Sequence, residues 1–121
     1  MTLPSATHDT FVIVRTYDSP AATVFRAWAD PNRKARWFAG SADAIGNGYE
    51  LDFQVGGREV NRGGPQDGPV YTYAAELRDI IVNQRIVYTY EMHLDDRKIS
   101  VSLVTLQIKP GGRGQTWLVV D

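Results

Sequence analysis

The 121-residue chain contains no cysteine and only two histidines. Disulfide bonds, thiolate nucleophiles and cysteine-ligated zinc are therefore excluded. His93 and Asp95 share one face of a predicted strand, but two ligands beside a turn fall short of the three or four that a metal site needs. The sequence thus predicts no metal site and no cofactor.

Long apolar runs and blocks of like charge are also missing. No stretch approaches the roughly 20 apolar residues that span a bilayer, so no membrane span is expected. Thirteen basic and fourteen acidic residues are interspersed along the chain, a balance that does not favour nucleic-acid binding. A signal peptide has a basic segment followed by an apolar one, and the amino terminus lacks this pattern. We therefore expect a soluble, cytoplasmic protein.

The residues that are present are typical of one folded domain. A chain of this length buries about two-thirds of its unfolded surface, and its hydrophobic content of 43% is enough for one core. We assign residues 1–9 to an N-terminal tail and residues 10–121 to a single domain.

The first part of the chain predicts one strand followed by two short helices. Residues 10–17, TFVIVRTY, are β-branched and aromatic, as strands are. Ser19 is a favourable N-cap, and Pro20 suits the first helical position because an N–H there would have no partner. Asp30-Pro31 ends that helix and begins a second one. One face of the first helix carries Ala21, Val24, Phe25 and Trp28.

From residue 49 onward the hydrophobic period changes to two, which indicates strands. Residues 49–55 alternate apolar with polar side chains, and Gly56-Gly57 predicts a two-residue hairpin turn. The remaining strands are predicted in consecutive antiparallel hairpins at 58–62, 70–81, 85–93, 99–108 and 115–120.

Charged residues within the long strands leave two interpretations open. Glu76, Arg85 and Glu91 either face water on the outer surface, or at least one of them points inward. A buried carboxylate with a raised pKa could act as an acid or base, or hold a polar group of a ligand. Ser100 and Ser102 lie in mid-strand rather than on a strained turn, so neither is predicted as a nucleophile. We assign no catalytic residue.

Aromatic side chains are the strongest positive signal. A curved antiparallel sheet with few helices leaves a concave apolar interior, which is the usual character of a small-molecule site. Tyrosine hydroxyls supply polar anchors in such a cavity. Trp28 and Trp37 are assigned to the short-helix layer. The predicted cavity-lining residues are Trp37, Phe38, Tyr49, Leu51, Phe53, Val55, Tyr71, Tyr73, Tyr88, Tyr90, Val104, Leu106 and Trp117.

Four segments occur in a characteristic order: "RTYDSPAATVFRAWADPNRKARWF", "YELDFQVGGRE", "YTYAAELRDIIVNQRIVYTYEM" and "SVSLVTLQIKPGGRGQTWL". Together they resemble the SRPBCC or START-like superfamily and, within it, the bacterial proteins similar to the activator of heat shock protein 90 ATPase. The resemblance implies an α+β helix-grip fold. In this fold a curved antiparallel sheet wraps around a long C-terminal helix, two short helices follow the first strand, and a cavity lies between sheet and long helix.

The sequence departs from this family pattern at two places. Val82-Asn83 replaces the Pro-Pro that is usual between the two long central strands, and the sequence ends at Asp121, where relatives continue into the long helix. We therefore expect that helix to be absent and roughly 500 Å² of apolar contact to be lost, worth on the order of 10 kcal/mol. A homodimer that covers the open face or pairs the terminal strands is the predicted compensation.

Three functions stay open under the resemblance. Most relatives of this branch have no established reaction, whereas the wider superfamily includes lipid and sterol carriers, plant hormone binders and polyketide cyclases. Our first hypothesis is a non-catalytic protein that binds a small apolar or aromatic ligand. The alternatives are a protein-interaction module with a chaperone partner, and an enzyme that acts on a polyketide-like substrate by acid–base chemistry.

Overall fold

The computed structural model describes residues 12–65 and 67–111 and, for residues 116–120, the backbone alone. Helices α1 (Ala21–Ala29) and α2 (Pro31–Phe38) are followed by a 3-10 turn at Ala42–Ala44. The strands are β1 (Ile13–Tyr17), β2 (Tyr49–Leu51), β3 (Arg58–Gly63), β4 (Tyr71–Ile81), β5 (Arg85–Leu94), β6 (Arg97–Pro110) and β7 (Thr116–Val120).

These seven strands form one antiparallel sheet in the order β1-β7-β6-β5-β4-β3-β2. Strands β2 to β7 each pair with their neighbours in the chain, and β1 forms one edge by pairing with β7. Both helices follow the first strand, so the predicted α+β helix-grip architecture is confirmed. No helix within the described ranges is long and apolar enough to cross a membrane.

The strand register separates an inner face of the sheet, which meets the helices, from an outer face. Leu77 lies opposite Tyr88, and Tyr88 lies opposite Val104, so these side chains share the inner face. Glu76 and Thr89 form the next pair and point to the outer face. The core forms where α1 covers the inner face, and its buried members are Val24, Phe25, Leu77, Ile86, Leu106 and Ile108.

The boundary between the two helices follows the prediction, whereas the start of α1 does not. The Asp30 carboxylate accepts hydrogen bonds from the backbone N–H groups of Asn32 and Arg33, and Pro31 opens α2. The predicted N-cap Ser19 is wrong, because α1 begins at Ala21 and Pro20 occupies the N-cap position. Pro20 holds an extended ψ of 155°, and its carbonyl accepts the first hydrogen bonds of the helix.

The turn after β2 also differs from the prediction. Strand β2 ends at Leu51 rather than at residue 55, and a six-residue connection replaces the two-residue Gly56-Gly57 hairpin. In this connection the Gly57 N–H donates to the Gln54 carbonyl at 2.8 Å, and the Gly56 N–H donates to the carbonyl of Leu77 in β4 at 2.7 Å. The chain therefore leaves the β2–β3 ladder early because β4 provides alternative partners for its backbone.

Candidate functional site

A cavity of about 660 Å³ lies between the two helices and the inner face of the sheet. Its volume is within the range of roughly 300–1,000 Å³ that is usual for small-molecule sites. The helices contribute Trp28, Trp37 and Phe38 to its wall. The sheet contributes Asn61, Gly63, Tyr71, Tyr73, Tyr88, Tyr90 and Met92.

The aromatic rings of this wall form a continuous surface from helix to sheet. The ring centroids of Trp28 and Trp37 are 4.7 Å apart, those of Phe38 and Tyr73 are 5.0 Å apart, and those of Tyr73 and Tyr90 are 5.2 Å apart. The first two of these pairs are edge-to-face, an arrangement that the ring quadrupoles favour. The rings are therefore held by one another, and the wall is ordered before any ligand arrives.

A buried ion pair lies at the inner end of this site. The Lys34 Nζ of α2 is 3.2 Å from Oε1 and 3.1 Å from Oε2 of Glu59 in β3, and both side chains are 4% exposed. The hydroxyl of Tyr49 donates to Oε2 at 2.5 Å. Because a buried charge is costly unless it is paired and hydrogen-bonded, these three side chains form one structural unit.

Three aromatic rings enclose the ammonium group of this pair. The Lys34 Nζ lies 4.7 Å from the ring centroid of Trp28, 5.2 Å from that of Trp37 and 4.6 Å from that of Phe38. The spacing along α2 explains the arrangement, since residues three and four positions after Lys34 share its face of the helix. Burial lowers the pKa of Lys34, while the charge and hydrogen bond of Glu59 raise it. The same three rings that cage the ammonium form the helical wall of the cavity.

The tyrosines around Glu59 keep their protons. Burial raises the pKa of Tyr49 and of Tyr73 well above 10.0, and the charge of Glu59 and a hydrogen bond to it raise both further. Burial is also the largest cause that raises the pKa of Tyr88, followed by the charge of Glu59. At neutral pH these hydroxyls are neutral groups that can each donate one hydrogen bond.

The predicted cavity residues divide into two groups and three single positions. Six lie together on the cavity wall: Trp37, Phe38, Tyr71, Tyr73, Tyr88 and Tyr90. Four belong to the core that α1 covers: Leu51, Phe53, Val104 and Leu106. Tyr49 is fully buried beside Glu59, whereas Val55 is 61% exposed in the turn after β2, so its assignment to the cavity was wrong. The backbone of Trp117 pairs with Lys109, and its side chain lies outside the described residues.

The charged candidates of the long strands lie on the outer face. Glu76 forms an ion pair with the neighbouring Arg78, and Arg85 forms one with Asp79. Glu91 pairs with Lys98 and with His93, and the hydrogen bond from Lys98 is the largest cause that lowers the pKa of Glu91. These ion pairs are separated from the cavity by the thickness of the sheet.

Sequence reasoning missed the two charged residues that the structure does place inside. Lys34 precedes Trp37 and Phe38 by three and four residues, so a helical projection would have put it on their face. Glu59 offered a weaker signal, because the alternation in "REVNR" puts either Val60 or Glu59 inward, and only pairing with β2 decides between them.

Comparisons with known proteins agree with this architecture. A model of the family described as Activator of Hsp90 ATPase homolog 1-like protein matches residues 18–121. The solved structure of the Mll3558 protein from Rhizobium loti is 38% identical, with a TM-score of 0.87 over 97% of this chain and 78% of that chain. A structure from Rhizobium leguminosarum is 40% identical, with a TM-score of 0.86 over 98% of this chain and 78% of that one.

A more distant structure shows the same fold. It is an HSP90 activator from Plasmodium falciparum, 20% identical, with a TM-score of 0.62 over 91% of this chain and 69% of that chain. No curated protein matches the sequence.

Proposed function

Because this chain belongs to the Activator of Hsp90 ATPase homolog 1-like family, we propose for it a function that its own cavity supports: the binding of a small apolar or aromatic ligand. The observation that carries this proposal is the cavity wall, in which seven of the ten lining side chains are aromatic and none is charged. A planar apolar ligand would gain roughly 25 cal/mol for each Å² that it buries against such a wall. The predicted contacts of the wall residues with a ligand are part of this proposal.

The experiment is a calorimetric and thermal-shift screen of three ligand classes: fatty acids, sterols and flavonoids. Binding to the cavity should raise the unfolding temperature and quench the fluorescence of Trp28 and Trp37. A screen in which no class changes either signal would contradict the proposal.

A variant that fills the cavity tests the location of the binding site. Gly63 lines the cavity, and a Cβ atom at this position would meet nothing within 4 Å, so Gly63→Leu should fold and project into the site. We expect Gly63→Leu to weaken binding by about tenfold or more, whereas Val101→Leu on the outer face should bind as the unaltered protein does. Equal affinities of the two variants would place the ligand elsewhere.

A second candidate function is docking to a chaperone, as the description of the Plasmodium relative indicates for that protein. The observation that favours it is an apolar strip on the outer face of β6, where Val101 is 62% and Leu103 is 64% exposed. We expect a Val101→Asp/Leu103→Asp variant to lose binding to purified Hsp90 if this candidate is right. Failure of the unaltered protein to bind Hsp90 would remove the candidate.

The predicted homodimer is also a proposal. Its interface would be the open inner face of the sheet, where Tyr71 is 45% exposed and Trp37 of α2 is 49% exposed, because β7 already pairs with β1 on one side and with β6 on the other. Light scattering after size-exclusion chromatography should give twice the mass of one chain, and a monomer at micromolar concentration would contradict it.

The enzyme alternative has less support, because Glu76, Glu91 and His93 lie on the face opposite the cavity and Glu59 is held by its ion pair.

A further inference from the structure

Among the described residues that line the cavity, Asn61 alone has a carboxamide side chain. The register places Asn61 of β3 opposite Tyr49 of β2 and opposite Tyr73 of β4, and Tyr73 in turn lies opposite Met92 of β5. The side chains of this cross-strand row therefore point to the same face of the sheet. Because Tyr73 and Met92 line the cavity together with Asn61, that face is the inner one.

Aromatic rings surround the position of this amide. Tyr49 and Tyr73 flank Asn61 on the two neighbouring strands. Phe38 of α2 reaches both of them, because its ring centroid is 6.2 Å from that of Tyr49 and 5.0 Å from that of Tyr73. A ligand that reaches the amide therefore lies against aromatic surface, where a planar ring system makes the most contact.

The Asn61 amide has its hydrogen-bonding groups available for a ligand. Within residues 12–65 and 67–111, its side chain has no hydrogen-bond partner. Every fully buried polar side-chain atom in those ranges has a partner, so the partly buried amide of Asn61 still contacts solvent in the cavity. A carboxamide presents N–H donors and a carbonyl acceptor side by side, whichever way it is turned. A ligand that displaces this solvent must replace both kinds of hydrogen bond or leave them unmade.

The cavity wall offers no opposite charge to an ionised ligand. Its described lining residues include no acidic or basic side chain. The nearby Lys34 ammonium is already paired with Glu59 at 3.1 Å. A charged ligand group would therefore lose its hydration without gaining a partner of opposite charge.

We propose, on the basis of the ligand-binding function above, that Asn61 makes the cavity selective for an uncharged planar molecule with a hydrogen-bond donor and an acceptor side by side. Such a molecule forms two parallel hydrogen bonds with the carboxamide, one in each direction. Lactams and other cyclic amides fused to an aromatic ring are the ligand class that this chemistry fits. A planar molecule with only one of the two groups leaves part of the amide unpaired, at a cost in affinity.

Three two-ring probes test the proposal by calorimetry: 2-quinolinone, coumarin and 2-naphthoate. Coumarin has the shape of 2-quinolinone, but an oxygen replaces the N–H group, so it can only accept. We expect 2-quinolinone to bind about tenfold more tightly than coumarin, and 2-naphthoate, which is charged, to bind most weakly.

The outcomes separate this inference from the proposed function. Equal binding of 2-quinolinone and coumarin, or tightest binding of 2-naphthoate, would overturn the inference while leaving the proposed function in place. Binding of none of the three probes would also overturn the inference, and the screen of fatty acids, sterols and flavonoids then decides the proposed function independently.

Two variants separate the amide from the other polar groups of the wall. Asn61→Leu keeps a side chain of similar shape without donor or acceptor, so 2-quinolinone should then bind no more tightly than coumarin. Tyr71→Phe, which removes a hydroxyl from a half-exposed residue of the same wall, should keep the tenfold preference. A preference that survives Asn61→Leu, or that is lost in Tyr71→Phe, would contradict the assignment of Asn61. Thermal unfolding controls for folding, and Asn61→Ala gives the same comparison if Asn61→Leu does not fold.

Discussion

Replacing Lys34 by methionine would remove an ammonium group while keeping an unbranched side chain of similar length. The variant would leave the Glu59 carboxylate, 4% exposed, without its cation. Breaking a buried ion pair from one side typically costs about 3–5 kcal/mol, because the remaining charge stays buried. The loss of cation–π contact with three rings adds to this cost. Since a domain of this kind has a free energy of unfolding of about 5–15 kcal/mol, the effect should be large.

Urea denaturation followed by tryptophan fluorescence measures this free energy, and the tryptophans of the cage report on the site itself. The double variant Lys34→Met/Glu59→Gln is the decisive comparison. It removes both charges and keeps an amide oxygen as acceptor for Tyr49, so its stability should return to within about 1–2 kcal/mol of the unaltered protein. Arg78→Met, which breaks the exposed pair with Glu76, should cost no more than about 1 kcal/mol.

The single variant Glu59→Gln adds a pH dependence of known sign. Glu59 raises the pKa of Lys34, whereas burial lowers it, so removing Glu59 leaves only the lowering effect. The folded state then binds fewer protons than the unfolded state below the ordinary lysine pKa of 10.5. Stability should therefore increase as the pH rises toward 10.5. If both single variants change the free energy of unfolding by less than about 1 kcal/mol, the reasoning about this pair is refuted.

Three further predictions concern the fold around the site. Absorbance titration at alkaline pH should find that Tyr49, Tyr73 and Tyr88 do not ionise before the protein unfolds. Because only the unfolded state loses these protons, the free energy of unfolding should fall as the pH rises above 10.0. Gly57→Ala should lower the free energy of unfolding by at least about 1 kcal/mol, because the new Cβ would clash with the Asp52 carbonyl oxygen. Gly63→Ala, where a Cβ meets open space, should leave this free energy nearly unchanged. Similar costs for the two variants would contradict the turn geometry. Trp28→Ala should cost about 3 kcal/mol by the same assay, and a loss below about 1 kcal/mol would show that Trp28 does not support the helical wall.

Much of the fold could be predicted because its signals are local. The Asp30-Pro31 boundary depends on a capping side chain and a ring-constrained residue that act within one helical turn. The alternation of apolar and polar residues identified the strands, and it placed Tyr73, Tyr88 and Tyr90 on the inner face. The prediction failed at residues 52–57, because the backbone of Gly56 and Gly57 bonds to Leu77 of β4, about twenty residues further along the chain. Val55 was misassigned for this reason.

The sequence by itself determined the helices, the strand pattern, the aromatic lining of the cavity and the family. Only the tertiary structure decided which charges are buried. The register of Leu51 with Glu59 puts the carboxylate on the inner face, and the packing of α2 brings Lys34 to it across 25 residues of sequence. The physical reason is that a carboxylate enters a core only where donors from other elements meet it. These donors come from α2 and β2, and no local pattern records their meeting.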